Sequence, residues 1–562
     1  MALEDLIRQR RDKIAQWRDI GVAPYAYSYA LTHSAQELLA RGDRVTQEPG
    51  EVVGVAGRVM ALRGHGKAGF AHLLDGSGKI QLYFRADHLG DQFRRYELLD
   101  VGDWIGVRGA LFRTRTGEIT IRVDAVELLA KALRPLPEKW HGLRDPETRF
   151  RQRYADLFMN LEVREVVRRR ARLVATLREG LDRRGFLEVE TPVLQSLYGG
   201  AFARPFVTRH HALDMELYLR ISNELYLKRL IVGGLERVYE FARDFRNEGM
   251  DRTHNPEFTM LEFYQAFADV SGMLSLTEAL VAAAAERVCG GFITRFQDAT
   301  LDFTPPFPKL SMLDAVSEKL GESIHDLDPV KLARHCQRLG IEVRPGTGAG
   351  GLLDALFSER VQPGLVRPTF VVDYPVETSP LARVSRTNPK LVERFELFIA
   401  GMELANAFSE QNDPDAQRRA FEAQAARRAQ GDEEAQPTDL DYVRALEYGM
   451  PPTGGCGIGI DRLAMILTDS RSIRDVLLFP ALRPEEGARE IDDDDAARAA
   501  ANMVDEGSPP LPAGSPGTET ARAARPRAQR RAAPGAPAAG PAGRAPAPAP
   551  PPSPGGGRPP AR

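Results

Sequence analysis

The chain has 562 residues, several times the size of a single domain, so we expect two or three domains. Its net charge of −3 creates no overall attraction to a polyanion, so any nucleic-acid surface has to be a local basic patch. The three cysteines are too widely spaced for a disulfide framework or a zinc site, and no apolar run approaches the roughly 18 residues of a membrane span, so we expect a cytoplasmic protein without membrane contact.

The N-terminal part predicts a helical segment followed by a small barrel. Residues 2–20 place apolar side chains at helical spacing among many charges, and we assign residues 1–50 to an N-terminal helical segment. Within residues 51–135 the period changes to two, and short strand-like runs are separated by Gly and Asp turns. Such a series of short strands favours a closed barrel of the OB-fold type. A proline-bearing linker is expected over residues 136–160.

Residues 161–486 predict an α+β domain built on an antiparallel sheet. A long basic helix begins at Leu161, β-like segments follow, and strands return after a mostly helical insertion over about residues 267–390. Because strands and helices do not alternate regularly, a doubly wound parallel sheet is disfavoured. Residues 487–562 contain an acidic run and then almost only Pro, Ala, Gly and Arg, which predicts a disordered tail. We prefer an inert tail over one whose arginines contact RNA.

Neither a Walker P-loop nor a complete dinucleotide fingerprint is present, so any use of ATP requires another architecture. Three segments of the chain indicate such an architecture. They read GFLEVETP at 185–192, VYEFARDFRNE leading into HNPEFTMLEFY within 238–264, and GGCGIGIDR at 454–462. In order and spacing they resemble the three signature motifs of class II aminoacyl-tRNA synthetases.

Further segments narrow this resemblance. GGAFARPF at 199–206, ELYLKRL at 224–230 and ELANAFSE at 403–410 resemble the lysyl-tRNA synthetases. The resemblance covers essentially residues 1–485. It implies an OB-fold anticodon-binding domain followed by a class II catalytic domain, and a lysine–tRNA ligase that uses ATP and Mg²⁺. The implied partners are tRNA(Lys), lysine, ATP and a second copy of the chain, because Pro192 and the helix before it resemble the class II dimer motif.

Adenylation of an amino acid needs a cation that holds two oxyanions together while charge builds at phosphorus, and the planar donors of arginine suit that task. By resemblance Arg246 bridges the carboxylate and the α-phosphate, and Arg462 reaches the γ-phosphate, so both are the expected catalytic residues. Alone, the FRNE segment would more often be a surface charge cluster. The remaining residues expected around ATP are Glu248, His254, Asn255 and Phe258, the last of which would stack on adenine.

A cationic substrate side chain requires carboxylates and walls that exclude water, and Glu224 and Glu410 are the expected carboxylates. Taken alone, Glu224 would be interpreted as a helix-surface glutamate, and the resemblance reverses that interpretation. Alternation along strands places the other expected lysine-binding side chains on shared faces. These residues are Glu262, Tyr264, Asn406 and Phe408, with the backbone of Gly200 expected at the substrate α-amino group.

The resemblance assigns magnesium to Glu396 and Glu403. Strict alternation would place these two residues on opposite faces of a strand, so a bulge or a turn is required near Gly401. Met402 stands where a basic residue is frequent in the family, which bears on the surroundings of the metal site.

In the barrel, the resemblance implies that the uridines of the anticodon bind to Arg63, Phe70, Gln81 and Glu118. OB-folds bind single-stranded RNA by stacking bases on aromatic side chains and contacting base edges with polar ones. Without the resemblance, Phe70 is equally well interpreted as a core residue of the barrel.

Three alternatives remain at this stage. A sister enzyme for aspartate or asparagine would share the motifs, but it would need basic or amide groups where this chain has Glu224 and Glu410. A paralogue that lysylates a protein would lack the anticodon barrel. A catalytically inactive RNA-binding protein would have no need of Arg246, Glu396, Glu403 or Arg462.

Overall fold

The computed structural model describes residues 2–137, 143–344, 346–429 and 437–484. The chain up to Arg483 forms one unit, which contains a barrel and a large sheet. The predicted tail at 487–562 lies outside the described residues. Within the described ranges, no helix is both long enough and apolar enough to cross a membrane.

The N-terminal region is a closed β-barrel with helices packed around it. Its helices are α1 (Leu3–Asp19), α2 (Ala35–Leu39), α3 (Ala86–Leu89) and α4 (Phe93–Leu98), with 3₁₀ turns at Gly42–Arg44 and Gly90–Gln92. Its strands are β1 (Val52–His65), β2 (Ala68–Leu74), β3 (Lys79–Arg85), β4 (Trp104–Arg113) and β5 (Ile119–Ala130). They close in the order β1-β2-β3-β5-β4, and Trp17 of α1 is fully buried in the apolar cluster of the barrel. The barrel and the amphipathic helix were both predicted.

Three helices connect the barrel to the rest of the chain: α5 (Pro146–Arg151), α6 (Arg153–Met159) and α7 (Leu161–Asp182). Two of them lie in the segment that we predicted as a linker, and they are firmly packed. Arg153 is almost fully buried, pairs with Asp156 at 2.5 Å, and donates to the carbonyl of Leu478 at 3.0 Å. On the barrel side, Arg164 donates to the carbonyl of Asp75 at 2.9 Å.

The catalytic region contains the remaining elements. Its strands are β6 (Leu187–Glu188), β7 (Leu194–Gln195), β8 (Val207–His210), β9 (Met215–Leu219), β10 (Arg237–Phe245), β11 (Glu257–Ala266), β12 (Ile293–Phe296), β13 (Ala299–Asp302), β14 (Lys309–Ser311), β15 (Thr369–Val372), β16 (Arg394–Ile399), β17 (Met402–Ser409) and β18 (Thr453–Gly459). Its helices are α8 (Glu224–Val232), α9 (Val270–Cys289), α10 (Met312–Leu320), α11 (Pro329–Arg338), α12 (Ala349–Arg360), α13 (Pro414–Ala429), α14 (Leu440–Glu447), α15 (Ile460–Leu467) and α16 (Ile473–Val476), with 3₁₀ turns at Gln362–Gly364 and Val376–Thr378.

An eight-stranded sheet organises this region, in the order β14-β15-β16-β17-β18-β11-β10-β6. Its central pairs are antiparallel, and only the pairs β14–β15 and β6–β10 are parallel. The barrel followed by a mainly antiparallel sheet with flanking helices confirms the predicted α+β fold class. The predicted helical insertion at 267–390 also supplies β14 and β15, because strands of three and four residues are too short to show a period in the sequence.

One face of the sheet is the main hydrophobic core, and the other face is open. Leu261 and Phe263 of β11 point into the core, where they meet α7, α9 and α15. Since side chains alternate along a strand, Glu262 and Tyr264 point to the opposite face, where a cavity lies.

Candidate active site

A cavity of about 420 Å³ lies over the open face of the sheet. It is lined by nearly all the residues that the sequence assigned to catalysis, substrate and metal: Gly200, Glu224, Arg246, Glu248, His254, Asn255, Phe258, Glu262, Tyr264, Glu396, Glu403, Asn406, Phe408 and Arg462. Glu410 does not line the cavity. It is buried beside Tyr264 and Gly455, which do line the cavity.

The floor of the cavity is the glycine-rich strand β18. Gly455 pairs with Tyr264 on one side and with Phe408 on the other, and Gly457 pairs with Glu262 and Asn406. A Cβ atom on Gly455 would lie 2.1 Å from Glu410 Oε1, and one on Gly457 would lie 2.4 Å from Glu262 Oε1. Both distances are shorter than any side chain tolerates. The glycines therefore let the carboxylates of two neighbouring strands lie flat against the floor.

A cationic end of the cavity forms around Arg246 and Arg462. The Arg246 guanidinium stacks over the Phe258 ring at 5.0 Å from its centroid. Arg462 donates from Nη1 to the carbonyl of Glu403 at 2.8 Å, and its Nη2 lies 3.0 Å from His254 Nε2. The sequence placed these side chains in separate motifs, and the structure brings them together.

The orientation of His254 is set by its own loop. Its Nδ1 lies 2.8 Å from the carboxylate of Asp251. Burial alone raises the pKa of Asp251, but hydrogen bonds from the Thr253 backbone and from His254 lower it to about 2. Asp251 is therefore ionised at neutral pH and fixes the ring from one side, while Arg462 contacts it from the other.

Sequence reasoning missed a support beneath the glycine-rich motif. Arg170 of α7 pairs with Asp461 at 2.6 Å, and the other carboxylate oxygen of Asp461 accepts from the Thr259 backbone N–H at 2.8 Å. Asp461 is almost fully buried, so this contact holds the start of α15 against β11. In the sequence, Arg170 is one of many arginines on a basic helix, and no signal distinguishes it.

An acidic end of the cavity lies along β11, away from the arginines. Phe258 and Tyr264 are six residues apart on this strand, which corresponds to about 20 Å. Glu262 accepts a hydrogen bond from the Tyr264 hydroxyl at 3.2 Å. Burial, with the charges of Glu224 and Asp244, raises the pKa of Glu262 well above its ordinary value. Gly200 has a φ of +88°, and Ser222 lies so close that a side chain at position 200 would clash.

Glu224 and Glu410 face each other across a buried lysine that the sequence analysis did not single out. Lys228 Nζ lies 2.6 Å from Glu224 Oε1 and 2.5 Å from Glu410 Oε2, and its side chain is fully buried. Lys228 follows Glu224 by four positions, which places both on one face of α8. This spacing was the feature of the sequence that could have indicated the ion pair.

The two carboxylates expected to hold magnesium share the cavity because the strand between them is interrupted. The chain turns at Ala400 and Gly401, both with positive φ, and the register between β16 and β17 then skips Leu404. This confirms the turn and bulge that the sequence required. Glu396 accepts from the Tyr374 hydroxyl at 2.8 Å and pairs with Arg394, another buried cation that sequence reasoning missed.

Carboxylate oxygens in this arrangement fit Mg²⁺ rather than a softer metal. No cluster of three or more His, Cys, Asp or Glu side chains suited to a metal occurs in the part of the chain that the structure describes. Mg²⁺ is commonly bound by one or two carboxylates together with water and substrate phosphates. Burial, with the charge of Glu403, raises the pKa of Glu396 to about 7, and a nearby divalent cation would favour its ionised form.

A second cavity, of about 320 Å³, lies on the barrel and is lined by Arg63, Phe70, His72 and Gln81, among others. Phe70 is 37% exposed and stacks on Tyr83 with ring centroids 4.8 Å apart, so it is a surface residue and not part of the core. Glu118 lies beside this cavity and accepts from Gln81 Nε2 at 2.7 Å. The aromatic ring and the polar edges therefore form one surface.

Comparisons with known proteins match both the catalytic region and the barrel. A family model described as tRNA synthetases class II (D, K and N) matches residues 145–483, more than half of the chain. A second model, described as an OB-fold nucleic acid binding domain, matches residues 53–129.

Curated relatives match over nearly their whole length. The lysine–tRNA ligase of Carboxydothermus hydrogenoformans is 53% identical over 486 residues, which cover 86% of this chain and 99% of that protein. That of Moorella thermoacetica is 53% identical over 487 residues, with coverage of 86% and 99%. That of Bacillus subtilis is 48% identical over 487 residues, with coverage of 86% and 98%. The chain belongs to the class II aminoacyl-tRNA synthetases and, within them, to the lysine–tRNA ligases.

Proposed function

We propose that this enzyme activates lysine with ATP in the cavity over the large sheet and then transfers lysine to the 3′ end of tRNA(Lys). The observation that carries the proposal is the polarity of that cavity. Arg246 and Arg462 form one end, and Glu224 and Glu262 form the other. Lysine matches this division, because it has an ammonium on its side chain and a carboxylate that is joined to phosphate during activation. We place the reaction in the cytoplasm.

In the first step, the ammonium of lysine binds among Glu224, Glu262 and Tyr264, and its α-amino group meets the backbone at Gly200. The adenine of ATP stacks on Phe258, and Glu248, His254 and Asn255 line the ATP side of the cavity. The lysine carboxylate attacks the α-phosphate in line, and pyrophosphate leaves. Arg246 stabilises the charge that builds between the two reacting groups, and Arg462 binds the departing phosphates.

Glu396 and Glu403 are the side chains that would hold magnesium, which neutralises phosphate charge when bound. Asn406 and Phe408 complete the wall beside them. In the second step, the terminal ribose hydroxyl of tRNA attacks the carbonyl of the adenylate and AMP leaves. Both steps depend on positioning and electrostatics, and no covalent bond to the enzyme forms.

Charging of a tRNA(Lys) transcript tests this proposal against the sister activities for aspartate and asparagine. We expect lysine to be attached rapidly, and the other two amino acids to be attached no faster than background. Glu224 would repel the aspartate side chain, and Glu262 would offer it no cation. Comparable charging with aspartate or asparagine would refute the assignment of the acidic end.

We propose that the barrel binds the anticodon through Arg63, Phe70, Gln81 and Glu118. Phe70→Ala should then damage aminoacylation and leave lysyl-adenylate formation intact, because the anticodon and the acceptor end lie at opposite ends of tRNA. Loss of one stacked base should lower kcat/KM for tRNA by about ten- to a hundredfold.

Two measurements make the Phe70 test decisive. ATP–pyrophosphate exchange reports the first step alone, and the melting temperature reports folding. An equal fall in exchange and aminoacylation would mean that the barrel is not a separate recognition domain. A large fall in melting temperature with normal charging of tRNA would mean that Phe70 stabilises the barrel, through its contact with Tyr83, and does not bind RNA.

We also propose that the enzyme is a homodimer. The segment after α7 exposes an unusual set of apolar side chains, which a monomer in water would normally cover. They are Leu187, Val193, Leu194, Leu197, Val207 and Leu213. Light scattering at micromolar concentration should give twice the chain mass. A monomeric mass with full activity would contradict the proposal.

A further inference from the structure

Lys228 is a fully buried ammonium that lies beside the pocket proposed for the ammonium of the substrate. Its Nζ lies between Glu224 Oε1 and Glu410 Oε2, and the ring of Tyr442 lies 5.8 Å away. Tyr442 belongs to an apolar cluster that also includes Leu225 and Leu227 of the same helix as Lys228. A side chain with no electrostatic task in such surroundings would be apolar, since a buried ion pair contributes little to stability by comparison.

The neighbouring residue shows what an ordinary cation on this helix does. Arg229 pairs with Asp439 and Asp441 at 2.8 and 3.2 Å, and it lies over the ring of Tyr442 at 5.4 Å, but it does not line the cavity. The side chain of Lys228 instead points into the protein interior, towards Glu224 and Glu410. Burial alone lowers the pKa of its ammonium, but the charges of Glu224 and Glu410 outweigh burial and raise it well above its ordinary value. Lys228 is therefore charged at neutral pH.

The two carboxylate oxygens of Glu410 have different neighbours. Oε2 pairs with Lys228, whereas Oε1 lies against Gly455 and Tyr264, which line the cavity. Among the described residues, both carboxylate oxygens of Glu410 are buried without a hydrogen bond, and Oε2 is the oxygen that Lys228 contacts as an ion pair. An unpaired buried carboxylate oxygen is costly, and a second ammonium arriving from the cavity side would offset that cost. Lys228 thus holds Glu410 by one oxygen, while the other oxygen lies beside residues that line the cavity.

The carboxyl groups of the pocket hold their protons more tightly than exposed carboxyl groups do. Burial raises the pKa of Glu410 to about 8, although the charge of Lys228 acts in the opposite direction. Burial also raises the pKa of Glu262 well above its ordinary value. A substrate ammonium beside these groups would favour their ionised forms, as Lys228 does for Glu410.

We propose that Lys228 is a resident counter-ion of the lysine pocket, a positioning residue that holds Glu224 and Glu410 in place for the ammonium of the substrate. This inference rests on the proposed function, since it assumes that the substrate ammonium binds at the acidic end of the cavity.

The test removes the side chain of Lys228 and then adds a small amine to the solution, which restores the positive charge. Lys228→Ala removes the ammonium and leaves space for a small molecule. In ATP–pyrophosphate exchange, we expect the KM for lysine to rise by about tenfold or more and the KM for ATP to stay within about twofold. Millimolar ethylamine should restore most of the lysine KM, whereas ethanol, which is similar in size and uncharged at neutral pH, should not.

Arg229→Ala is the matched control, because it removes a cation from the same helix outside the pocket. It should leave the lysine KM unchanged and should not respond to ethylamine. If Lys228→Ala does not fold, Lys228→Met retains the apolar stem and removes only the charge. Its lysine KM should rise in the same way while its ATP KM does not.

Three results would overturn the inference: an unchanged lysine KM in the Lys228 variants, a parallel rise of the lysine and ATP KM values, or equal rescue by ethanol and ethylamine. The wild-type enzyme is assayed alongside. If it fails to exchange with lysine, the proposed function is wrong. If it exchanges with lysine and the Lys228 variants behave like Arg229→Ala, only the role of Lys228 is wrong.

Discussion

Arg246→Ala is expected to reduce ATP–pyrophosphate exchange by about a hundredfold or more, with little change in the melting temperature. The guanidinium stacks on Phe258 and lines the cavity where the carboxylate and the α-phosphate are proposed to meet. Removing a preorganised donor to a developing charge typically costs about 3–4 kcal/mol of transition-state stabilisation. The fall should appear mainly in kcat, because the interaction strengthens as charge builds.

Arg243→Ala provides the matched control for this variant. Arg243 lies on β10 close to Arg246, but it is exposed and pairs with Glu257 on the surface, at 3.6 Å. Its removal should leave exchange nearly unchanged. Similar losses in both variants, or a large loss of folding in Arg246→Ala, would contradict the catalytic role of Arg246.

Glu410→Gln is expected to weaken lysine binding by about 2–4 kcal/mol and to leave ATP binding almost unaffected. The substitution keeps the shape of the side chain and removes the charge that faces the cavity floor. It also takes a partner from Lys228, so calorimetry of lysine and ATP binding must be accompanied by the melting temperature.

Glu447→Gln is the control for a lost carboxylate, since Glu447 is exposed and pairs with Arg418 on the surface at 3.0 Å. It should change neither affinity. An unchanged lysine affinity in Glu410→Gln together with lost ATP binding would mean that the acidic end of the cavity has been assigned to the wrong substrate.

The sequence predicted the architecture where its patterns were long and regular. The period of two along residues 51–135 indicated a barrel, and alternation placed Glu262 and Tyr264 on one face of a strand, where the structure has them. The same rule showed that Glu396 and Glu403 needed an interruption near Gly401, and the turn and bulge are present. These features depend on local spacing, which a sequence displays directly.

Features that depend on burial could not be predicted in this way. Lys228, Arg170 and Arg394 have the sequence appearance of surface cations, because each lies among other charged or polar residues. Each is largely buried only because distant parts of the chain cover it: Tyr442 packs over Lys228, and Tyr374 lies under Arg394 at 4.3 Å. The burial of Glu410 outside the lining of the cavity could likewise not be predicted, since alternation assigns a side chain to a face of the sheet and does not show how deeply it is buried.

The central claim is that the cavity over the large sheet selects lysine, and ATP–pyrophosphate exchange with each of the twenty amino acids tests it most directly. This assay needs no tRNA, so it isolates the cavity from the barrel. We expect rapid exchange with lysine alone, and with no neutral or acidic amino acid. Exchange with aspartate or asparagine that equals or exceeds exchange with lysine would contradict the account.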